Sequence, residues 1–290
     1  MTRCSPAELG VIGWPLEYTL SPDMHNAALV ASGLGYRYER IPVAPSEVNL
    51  FVQKAQRHML GFNVTIPHKH TLFRLCSETD ELSRASGACN TVVFDEQRIL
   101  GYNTDGPGLM LALEERTQFV SDGSKVLLIG AGGAARGCLA QLIQSGAQSV
   151  TLVNRDLTRA AELVAEMQPL LSGIHIEVCD FKSLRHADRL QLTREPEYDI
   201  VLNCIPADAA ASLWPVVSLL AGRNTVLCDL SYSAKTTFLS ARWREAGLPV
   251  VYGLDVLLWQ AVRAYEIFTK KCAPVAVMRG ALTDKCGKWW

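Results

Sequence analysis

The stretch Lys125-Val-Leu-Leu-Ile-Gly-Ala-Gly-Gly-Ala-Ala-Arg-Gly137 decides how this chain folds. Its first five residues form a short apolar run, which favours a strand buried on both faces of a parallel sheet. A glycine-rich turn follows, and after it comes a helical pattern with leucine and isoleucine on one side. Glycine permits a tight exit from the strand, close approach of the backbone to a phosphate, and close packing of the helix on the sheet.

A helix that begins directly after this turn points free N–H groups and the positive end of its dipole at an anion. Val150-Thr-Leu-Val153 predicts the second strand, which completes a βαβ unit. The alternative is an ordinary tight turn, but the strand before, the helix after, and a polar pair about 20 residues on favour a dinucleotide site. The residues expected to contact the cofactor here are Gly130, Ala131, Gly132, Gly133, Ala134, Asn154 and Arg155.

The residues after the second strand bear on the choice of nucleotide. Arg155 and Arg159 are four positions apart, so we expect both to face one phosphate from the start of the next helix. Arginine at this place accommodates the 2′-phosphate of NADP, whereas an acidic residue binds the ribose hydroxyls of NAD. Asp156 lies between the two arginines and argues for NAD. The pattern favours NADP and leaves NAD open.

The bulk composition limits the class of protein. With 290 residues, 49% of them hydrophobic, the chain is long enough for a buried core and for two domains. A formal net charge of −1 offers no electrostatic basis for binding nucleic acid or an anionic membrane, so we expect a small-molecule partner. Nine cysteines without a C-x-x-C pair favour reduced thiols and no metal site.

No signal-peptide core and no apolar window of transmembrane length is found, so we expect a soluble, cytoplasmic protein. The sequence leaves monomer and homodimer open. Further strands are predicted at 11–13, 36–43, 60–66, 87–93, 198–203, 225–232 and 249–252. Helices are predicted at 48–55, 156–169, 209–221, 236–246 and from 255 onward, and a polar loop at 180–197.

Polar residues follow several predicted strands of the first third of the chain. Lys69 follows the strand at 60–66, where ligands usually bind in an α/β sheet, and the alternative is a solvated loop charge. The groups Asn90-Thr91 and Asn103-Thr-Asp105 put compact hydrogen-bonding side chains at strand ends, which suits a polyol; turn formation is the alternative. His68 and His70 have no acidic or cysteine partner nearby, so we interpret both as surface or capping residues.

Another polar group precedes a predicted helix near the N-terminus. Pro22 is well placed in the first helical turn, with Ser21 as the N-cap. For Thr19 and Ser21, helix capping alone and ligand binding are both open.

Together these stretches resemble the shikimate dehydrogenase family over nearly the whole chain. The segments that carry the resemblance are Gly13-Trp-Pro-Leu16 with Thr19-Leu-Ser-Pro22, Asn63-Val-Thr-Ile-Pro-His-Lys69, Gly87-Ala-Cys-Asn-Thr91, Asn103-Thr-Asp-Gly106, Gly130-Ala-Gly-Gly-Ala134, Asn154-Arg155 and 253–260. Their agreement in the family's order is more specific than any one of them alone.

The resemblance implies reversible, NADPH-dependent reduction of 3-dehydroshikimate to shikimate, a step of aromatic amino-acid biosynthesis. It implies that Lys69 donates the proton, or accepts it in the oxidative direction, and that Asp105 fixes the substrate hydroxyl and the ammonium. It implies substrate contacts from Thr19, Ser21, Thr65, Asn90, Asp105, Tyr232 and Gln260. It implies cofactor contacts from Glu81, Leu230 and Gly253, in addition to those of the glycine turn.

The chain departs from the family pattern in places. Tyr18-Thr-Leu-Ser21 stands where the family commonly has His-Ser-x-Ser, and this variation resembles quinate-using relatives. Asp156 replaces a frequent threonine, and the segments Asn203-Cys-Ile-Pro206 and Tyr232-Ser-Ala234 also differ from the usual motifs. Two alternatives therefore stay open: a quinate/shikimate dehydrogenase that uses NAD or both cofactors, and a dinucleotide-binding regulator without catalysis.

We expect two α/β domains. Residues 1–105 with 255–290 are predicted to form the substrate-binding domain, and residues 106–254 a Rossmann-type, parallel-sheet domain that binds NADP. The site is expected in the cleft between them, because closure would bring nicotinamide to substrate and exclude water.

Overall fold

The computed structural model describes residues 8–183, 198–232 and 236–288. Most of the predicted polar loop at 180–197 lies outside these residues. The chain divides into two compact units, Met1–Gly108 with Leu258–Gly287, and Leu109–Leu257 with Lys288–Trp290. These bounds lie close to the predicted domain boundaries, and the assignment of substrate to one domain and cofactor to the other stays a prediction. Among the described helices, none combines the length and the apolar composition needed to cross a membrane.

The two units are built from alternating strands and helices. The strands of the described residues are β1 (Leu9–Gly13), β2 (Tyr38–Pro42), β3 (Gly61–Val64), β4 (Glu78–Thr79), β5 (Thr91–Asp95), β6 (Arg98–Tyr102), β7 (Lys125–Ile129), β8 (Ser149–Val153), β9 (His175–Cys179), β10 (Tyr198–Asn203), β11 (Ala221–Asp229) and β12 (Val250–Tyr252). The α-helices are α1 (Ser21–Ala31), α2 (Val48–Ala55), α3 (Lys69–Leu75), α4 (Glu81–Ser86), α5 (Asp105–Arg116), α6 (Gly133–Gln144), α7 (Leu157–Glu166), α8 (Ala207–Ala211), α9 (Trp214–Leu220), α10 (Phe238–Glu245), α11 (Gly253–Thr269) and α12 (Val275–Cys286).

The second unit contains a parallel sheet in the order β9-β8-β7-β10-β11-β12. The strand order reverses direction at β7, which is the doubly wound arrangement of dinucleotide-binding folds. The apolar run of β7 explains its central place, because Leu127, Leu128 and Ile129 are fully buried between helices on both faces. The predicted Rossmann-type fold is confirmed, and β7 and β10 have the predicted bounds.

The first unit contains a mixed sheet in the order β2-β1-β3-β5-β6-β4. β1 and β3 run parallel, whereas β5 is antiparallel to both β3 and β6. This alternation places the end of β3, the start of β5 and the end of β6 at one edge of the sheet. The register joins Asn63 to Thr91 and Thr91 to Tyr102 across these three strands. Side chains that follow β3 and β6 are therefore neighbours in space, although the chain separates them by more than thirty residues.

Several predicted elements differ from the observed ones. Helix α3 was not predicted, because its seven residues are too few to show a helical period. Helix α4 was not predicted; its C-cap Gly87 is the first residue of the predicted strand 87–93, and β5 begins only at Thr91. The signals for α4 are its ends: Asp80 accepts a hydrogen bond from the Ser83 amide, and Gly87 ends the helix with φ +63°. The predicted helix at 209–221 is two helices. The strand predicted at 225–232 is β11, which begins and ends earlier, at Ala221 and Asp229.

Candidate active site

Lys69 and Asp105 meet at the polar edge of the first unit's sheet. Lys69 begins α3 after β3, and Asp105 begins α5 after β6. The Lys69 ammonium Nζ donates to Asp105 Oδ2, and both residues are less than 10% exposed, at 9% and 8%. The reading of Lys69 as a solvated loop charge is wrong, because a cation this deeply buried is retained when a carboxylate faces it.

Asn90 holds the other oxygen of the Asp105 carboxylate. Its Nδ2 donates to Asp105 Oδ1 over 2.8 Å and to Thr104 Oγ1 over 2.9 Å. Its Oδ1 accepts from the Thr104 amide at 2.8 Å. The Asp105 amide in turn donates to Asn103 Oδ1 at 3.1 Å. Because donors approach both carboxylate oxygens, the carboxylate orientation is set before a ligand arrives.

Asn63 supports this network and was quoted in the sequence only as part of a motif. Its Nδ2 donates to the Asn90 carbonyl at 3.1 Å and to Thr91 Oγ1 at 2.9 Å. Its Oδ1 accepts from the Tyr38 hydroxyl at 2.7 Å. All of these groups are buried. The signal in the sequence is an asparagine within an otherwise apolar strand, since a buried amide is kept only when its donors and acceptors are satisfied.

Thr19 and Ser21 come together just before α1. Thr19 Oγ1 lies 3.2 Å from Ser21 Oγ, and it accepts from the Ser21 amide at 3.3 Å. The prediction of Ser21 as the N-cap is wrong: the N-cap is Leu20, and no side chain caps the helix. Ser21 is instead the first residue of α1, one position after the N-cap. The two hydroxyls thus converge on one spot, without a capping bond from Ser21.

Thr65 and Gln260 are half-buried members of the first unit. Thr65 follows β3, and its γ-methyl lies so close to Gly13 that a β-carbon there would approach it to 2.5 Å. Gln260 lies on α11, where Gly108 of α5 comes close: a β-carbon on Gly108 would lie 2.6 Å from the Gln260 amide nitrogen. The absence of a side chain at position 108 therefore lets the helix that carries Asp105 pack directly against α11.

The two histidines beside Lys69 have different environments. His68 is 1% exposed, and its Nε2 lies 2.7 Å from the Val43 carbonyl oxygen. Its interpretation as a surface or capping residue is wrong, because the ring packs inward and ties the β3–α3 turn to the segment after β2. His70 Nδ1 lies 3.0 Å from the carbonyl oxygen of Gly87, the residue that ends α4. Among the described residues, no group of three or more potential metal ligands is found.

The glycine turn of the second unit has the geometry of a phosphate-binding loop. Gly130 has φ +104°, and a β-carbon there would approach the Ile205 side chain to 2.8 Å, so the strand exit requires glycine. Gly132 is the N-cap of α6 and offers no side chain to the first amides of that helix. A β-carbon on Gly132 would meet nothing within 4 Å. The space over the helix N-terminus is thus open to an anion.

The residues after β8 lie beside this turn, because β7 and β8 are paired in register to their last residues. Asn154 Nδ2 donates to the Asp156 carbonyl at 2.7 Å, which closes the turn into α7. Asp156 is the N-cap of α7, and its Oδ1 accepts from the Arg159 amide at 3.2 Å. One oxygen of this carboxylate caps its own helix, which gives Asp156 a structural role besides the ribose contact that would favour NAD.

Arg155 and Arg159 are both exposed near the glycine turn. Arg159 lies in the first turn of α7, whereas Arg155 precedes the helix, which begins at Leu157. That both face one phosphate stays a prediction. Neither guanidinium makes an ion pair within the described residues. Two cations without an ion pair to any described residue therefore flank the N-cap of α7, on opposite sides of it along the chain.

The other residues predicted to contact the cofactor follow the last strands of the parallel sheet, apart from Glu81, which is exposed at the start of α4 in the first unit. Leu230 directly follows β11, and Gly253 directly follows β12. A β-carbon on Gly253 would approach the carbonyl oxygens of Leu230 and Ser231 to 2.7 Å. Tyr232 is half-buried two residues after Leu230. These residues and the glycine turn share the carboxyl edge of the sheet, where ligands bind in such folds.

Asp229 anchors this edge and was not singled out in the sequence. It is fully buried at the end of β11. Its Oδ1 accepts from Asn203 Nδ2 at 2.8 Å and from the Ser231 amide at 3.2 Å. Its Oδ2 accepts from the hydroxyls of Thr237 and Ser240. The carboxylate thus joins the loops after β10 and β11. The segment 203–206 departs from the family motif, but its asparagine is held by the hydrogen bond to Asp229.

Three models of known protein families match most of the chain. Residues 11–92 match the shikimate dehydrogenase substrate binding domain, residues 112–209 match shikimate/quinate 5-dehydrogenase, and residues 253–283 match the shikimate 5′-dehydrogenase C-terminal domain.

Individual proteins are similar over nearly their whole length. A shikimate dehydrogenase (NADP(+)) of Methanopyrus kandleri is 36% identical over 286 residues, covering 95% of this chain and 94% of the relative. The structure of Thermus thermophilus shikimate 5-dehydrogenase with NADP(H) and shikimate has a TM-score of 0.80 at 27% identity, covering 96% and 99% of the two chains. That of the Listeria monocytogenes enzyme with shikimate and NAD has a TM-score of 0.81 at 28% identity, covering 97% and 99%.

Proposed function

This chain belongs to the shikimate dehydrogenase family, and we propose that it catalyses the reversible NADPH-dependent reduction of 3-dehydroshikimate to shikimate. The observation that carries the proposal is the buried contact between Lys69 and Asp105 at a polar sheet edge. Its substrate is a small molecule, and the reaction belongs to aromatic amino-acid biosynthesis. We also propose a cytoplasmic location, in keeping with the absence of disulfides among the eight described cysteines.

Lys69 is proposed to carry the proton of the reaction. NADPH, when bound, supplies the hydride, and negative charge then develops on the substrate oxygen. The Lys69 ammonium donates a proton to that oxygen, and the amine takes it back in the oxidative direction. Asp105 holds the ammonium through Oδ2 and is itself held by Asn90, so the donor is oriented without a ligand. Pre-set orientation removes an entropic cost that a mobile surface lysine would have to meet.

The substrate is proposed to bind across the same sheet edge. Thr19 and Ser21 donate hydroxyl hydrogens to its carboxylate, since their oxygens already lie 3.2 Å apart. Thr65, Asn90 and Gln260 contact the ring hydroxyls, together with Asp105. Hydroxyl and amide groups suit a polyhydroxylated ring, because each can donate and accept. Tyr232 of the second unit is proposed as a further substrate contact.

The cofactor is proposed to bind at the carboxyl edge of the parallel sheet. The turn Gly130–Ala134 and the N-terminus of α6 hold its pyrophosphate. Asn154, Arg155 and Arg159 surround the adenosine end, and the two exposed guanidinium groups pair with the 2′-phosphate of NADP. Leu230 and Gly253 contact the nicotinamide, and Glu81 is a further cofactor contact. The relatives' NADP dependence agrees with these cations and with the capping role of Asp156.

Initial rates with shikimate and with quinate, each combined with NADP and with NAD, test the choice of substrate and cofactor. We expect the highest kcat/KM for shikimate with NADP, and lower values for shikimate with NAD and for quinate with either cofactor. The alternative of a quinate-using enzyme has one observation in its favour, the threonine at position 19. A higher kcat/KM for quinate with NAD would overturn the first choice, and no turnover in any combination would favour a regulator without catalysis.

The 2′-phosphate contact is tested by replacing Arg155 with alanine. We expect KM for NADP to rise about tenfold or more, because one charge-assisted contact is lost. KM for NAD is expected to change little, since NAD lacks the phosphate. Arg223→Ala is the matched control, because Arg223 is exposed near the start of β11, at the opposite edge of the same sheet. If Arg155→Ala raised KM for NADP and for NAD equally, Arg155 would not contact the 2′-phosphate.

A further inference from the structure

The thiols of Cys76 and Cys89 lie in the first unit, beside the residues that form the polar edge of its sheet. Cys76 follows α3, and Cys89 precedes Asn90. Both sulfur atoms cover Gly101 of β6: each lies 2.6 Å from the position that a β-carbon on Gly101 would take. The two thiols are within hydrogen-bond distance of one another. The missing side chain at position 101 thus creates the space in which the two sulfurs meet.

The two thiols differ in their chemistry. The Cys89 thiol donates to Cys76, which lowers the pKa of the Cys76 thiol. The same contact, together with burial, raises the pKa of the Cys89 thiol well above its ordinary range. Cys76 is half-buried, whereas Cys89 is fully buried. Cys76 is therefore the sulfur that a small oxidant reaches and that reacts as a thiolate, with Cys89 next to it as the resolving thiol.

Cys89 is tied to the residues proposed for catalysis. Its amide donates to the Lys69 carbonyl at 3.1 Å. The next residue, Asn90, bonds Asp105 Oδ1 through its side chain at 2.8 Å. A covalent S–S bond is about 2.05 Å long, which is much shorter than a contact between two thiols. Forming that bond draws the two sulfurs together, and a shift of the Cys89 backbone carries Asn90 with it, because the two residues are consecutive.

We propose that Cys76 and Cys89 are a modification site, a dithiol that peroxide converts to a disulfide and that thereby displaces Asn90 from Asp105. The Cys76 thiolate attacks one peroxide oxygen, the O–O bond breaks, and hydroxide leaves and takes a proton, which gives a sulfenic acid. The Cys89 sulfur then attacks the Cys76 sulfur, the S–O bond breaks, and water leaves with the Cys89 proton. In sum, two thiols lose two electrons and two protons, and hydrogen peroxide becomes two waters.

Tryptic mapping tests the disulfide without reference to activity. Cleavage after Arg74, Arg84 and Arg98 places Cys76 and Cys89 in separate peptides, each with a single cysteine. After brief exposure of the full chain to hydrogen peroxide, we expect a cross-linked pair of peptides 75–84 and 85–98 under non-reducing conditions. The pair should be about 2 Da lighter than the sum of the peptides, because two hydrogens leave, and dithiothreitol should separate it. Absence of this pair, with other cysteines oxidised instead, would overturn the proposal.

The consequence for the site is tested on the same samples. Oxidised protein is expected to lose up to about 10²-fold in kcat for shikimate, the scale of a small displacement of catalytic groups, and to regain it with dithiothreitol. This readout rests on the proposed function. Hydrogen exchange at residues 99–116 does not, and we expect it to increase on oxidation whether or not shikimate is the substrate.

Two variants give the comparison. Cys76→Ser should lose the cross-link and keep its activity and its exchange pattern under peroxide, whereas Cys272→Ser, at an exposed cysteine, should behave as wild type. Should Cys76→Ser fail to fold, the wild-type peptide map and exchange pattern decide alone. A disulfide that forms without any change in exchange would overturn the link to Asn90. If peroxide inactivated Cys76→Ser and wild type equally, a disulfide between Cys76 and Cys89 would not be the cause of the inactivation.

Discussion

Replacing Lys69 with alanine is expected to lower kcat by about 10²- to 10⁴-fold, the range that removal of a positioned proton donor produces. The reason is that the developing oxyanion loses the ammonium that Asp105 holds in place. Binding of shikimate and NADP should remain largely intact, because other residues are proposed to bind them. Steady-state kcat and separate ligand titrations measure the two effects.

Structural damage has to be separated from lost chemistry in this variant. Lys69 is a buried cation, and removing one member of a buried ion pair costs about 3–5 kcal/mol of stability. Denaturant unfolding of Lys69→Ala therefore accompanies the kinetics. Propylammonium has the atoms that Lys69→Ala removes, and it is expected to restore part of kcat if the amine acts chemically. Lys54→Ala, at an exposed position of α2, is the control, and turnover of Lys69→Ala at the wild-type rate would refute the assigned mechanism.

Acidification is expected to destabilise the fold through His25. This side chain on α1 is 1% exposed, stacks on the Tyr38 ring at 4.3 Å, and has no hydrogen-bond partner for either ring nitrogen among the described residues. Burial lowers the pKa of His25 from 6.5 to about 3, because the charged ring would lose its water. The unfolded chain binds the proton more readily, so stability present above pH 6.5 is lost as the pH falls towards 3. The slope is about 1.4 kcal/mol per pH unit, or about 2 kcal/mol between pH 7 and 5.

The measurement is the free energy of unfolding against pH, compared between variants. His25→Phe keeps a ring against Tyr38 and removes the titration, so its stability should fall less steeply between pH 6.5 and 4. His58→Gln removes an exposed histidine and should leave the slope of wild type unchanged. If His25→Phe and wild type lost stability in parallel over this interval, protonation of His25 would not be the cause.

Long apolar runs and terminal glycines made the main elements predictable. β7, β10 and α2 have the bounds expected from the sequence. The short elements α3, α4, β4 and β9 were not predicted, since so few residues carry no period. The capping role of Asp156 was missed for a different reason: a carboxylate after a strand suits either a ribose or a helix N-terminus, and only the position of α7 chooses between them.

What the sequence by itself determined is the βαβ unit around Gly130 and the identity of the polar groups at strand ends, because periodicity and glycine chemistry act locally. What only the tertiary structure decided is which of those groups meet. Lys69 contacts Asp105 because β5 runs antiparallel between β3 and β6, which brings two distant chain segments to one edge. Cys76 and Cys89 meet over Gly101 for a similar reason. Which strands pair depends on burial of the whole sheet, so a local pattern of residues does not reveal it.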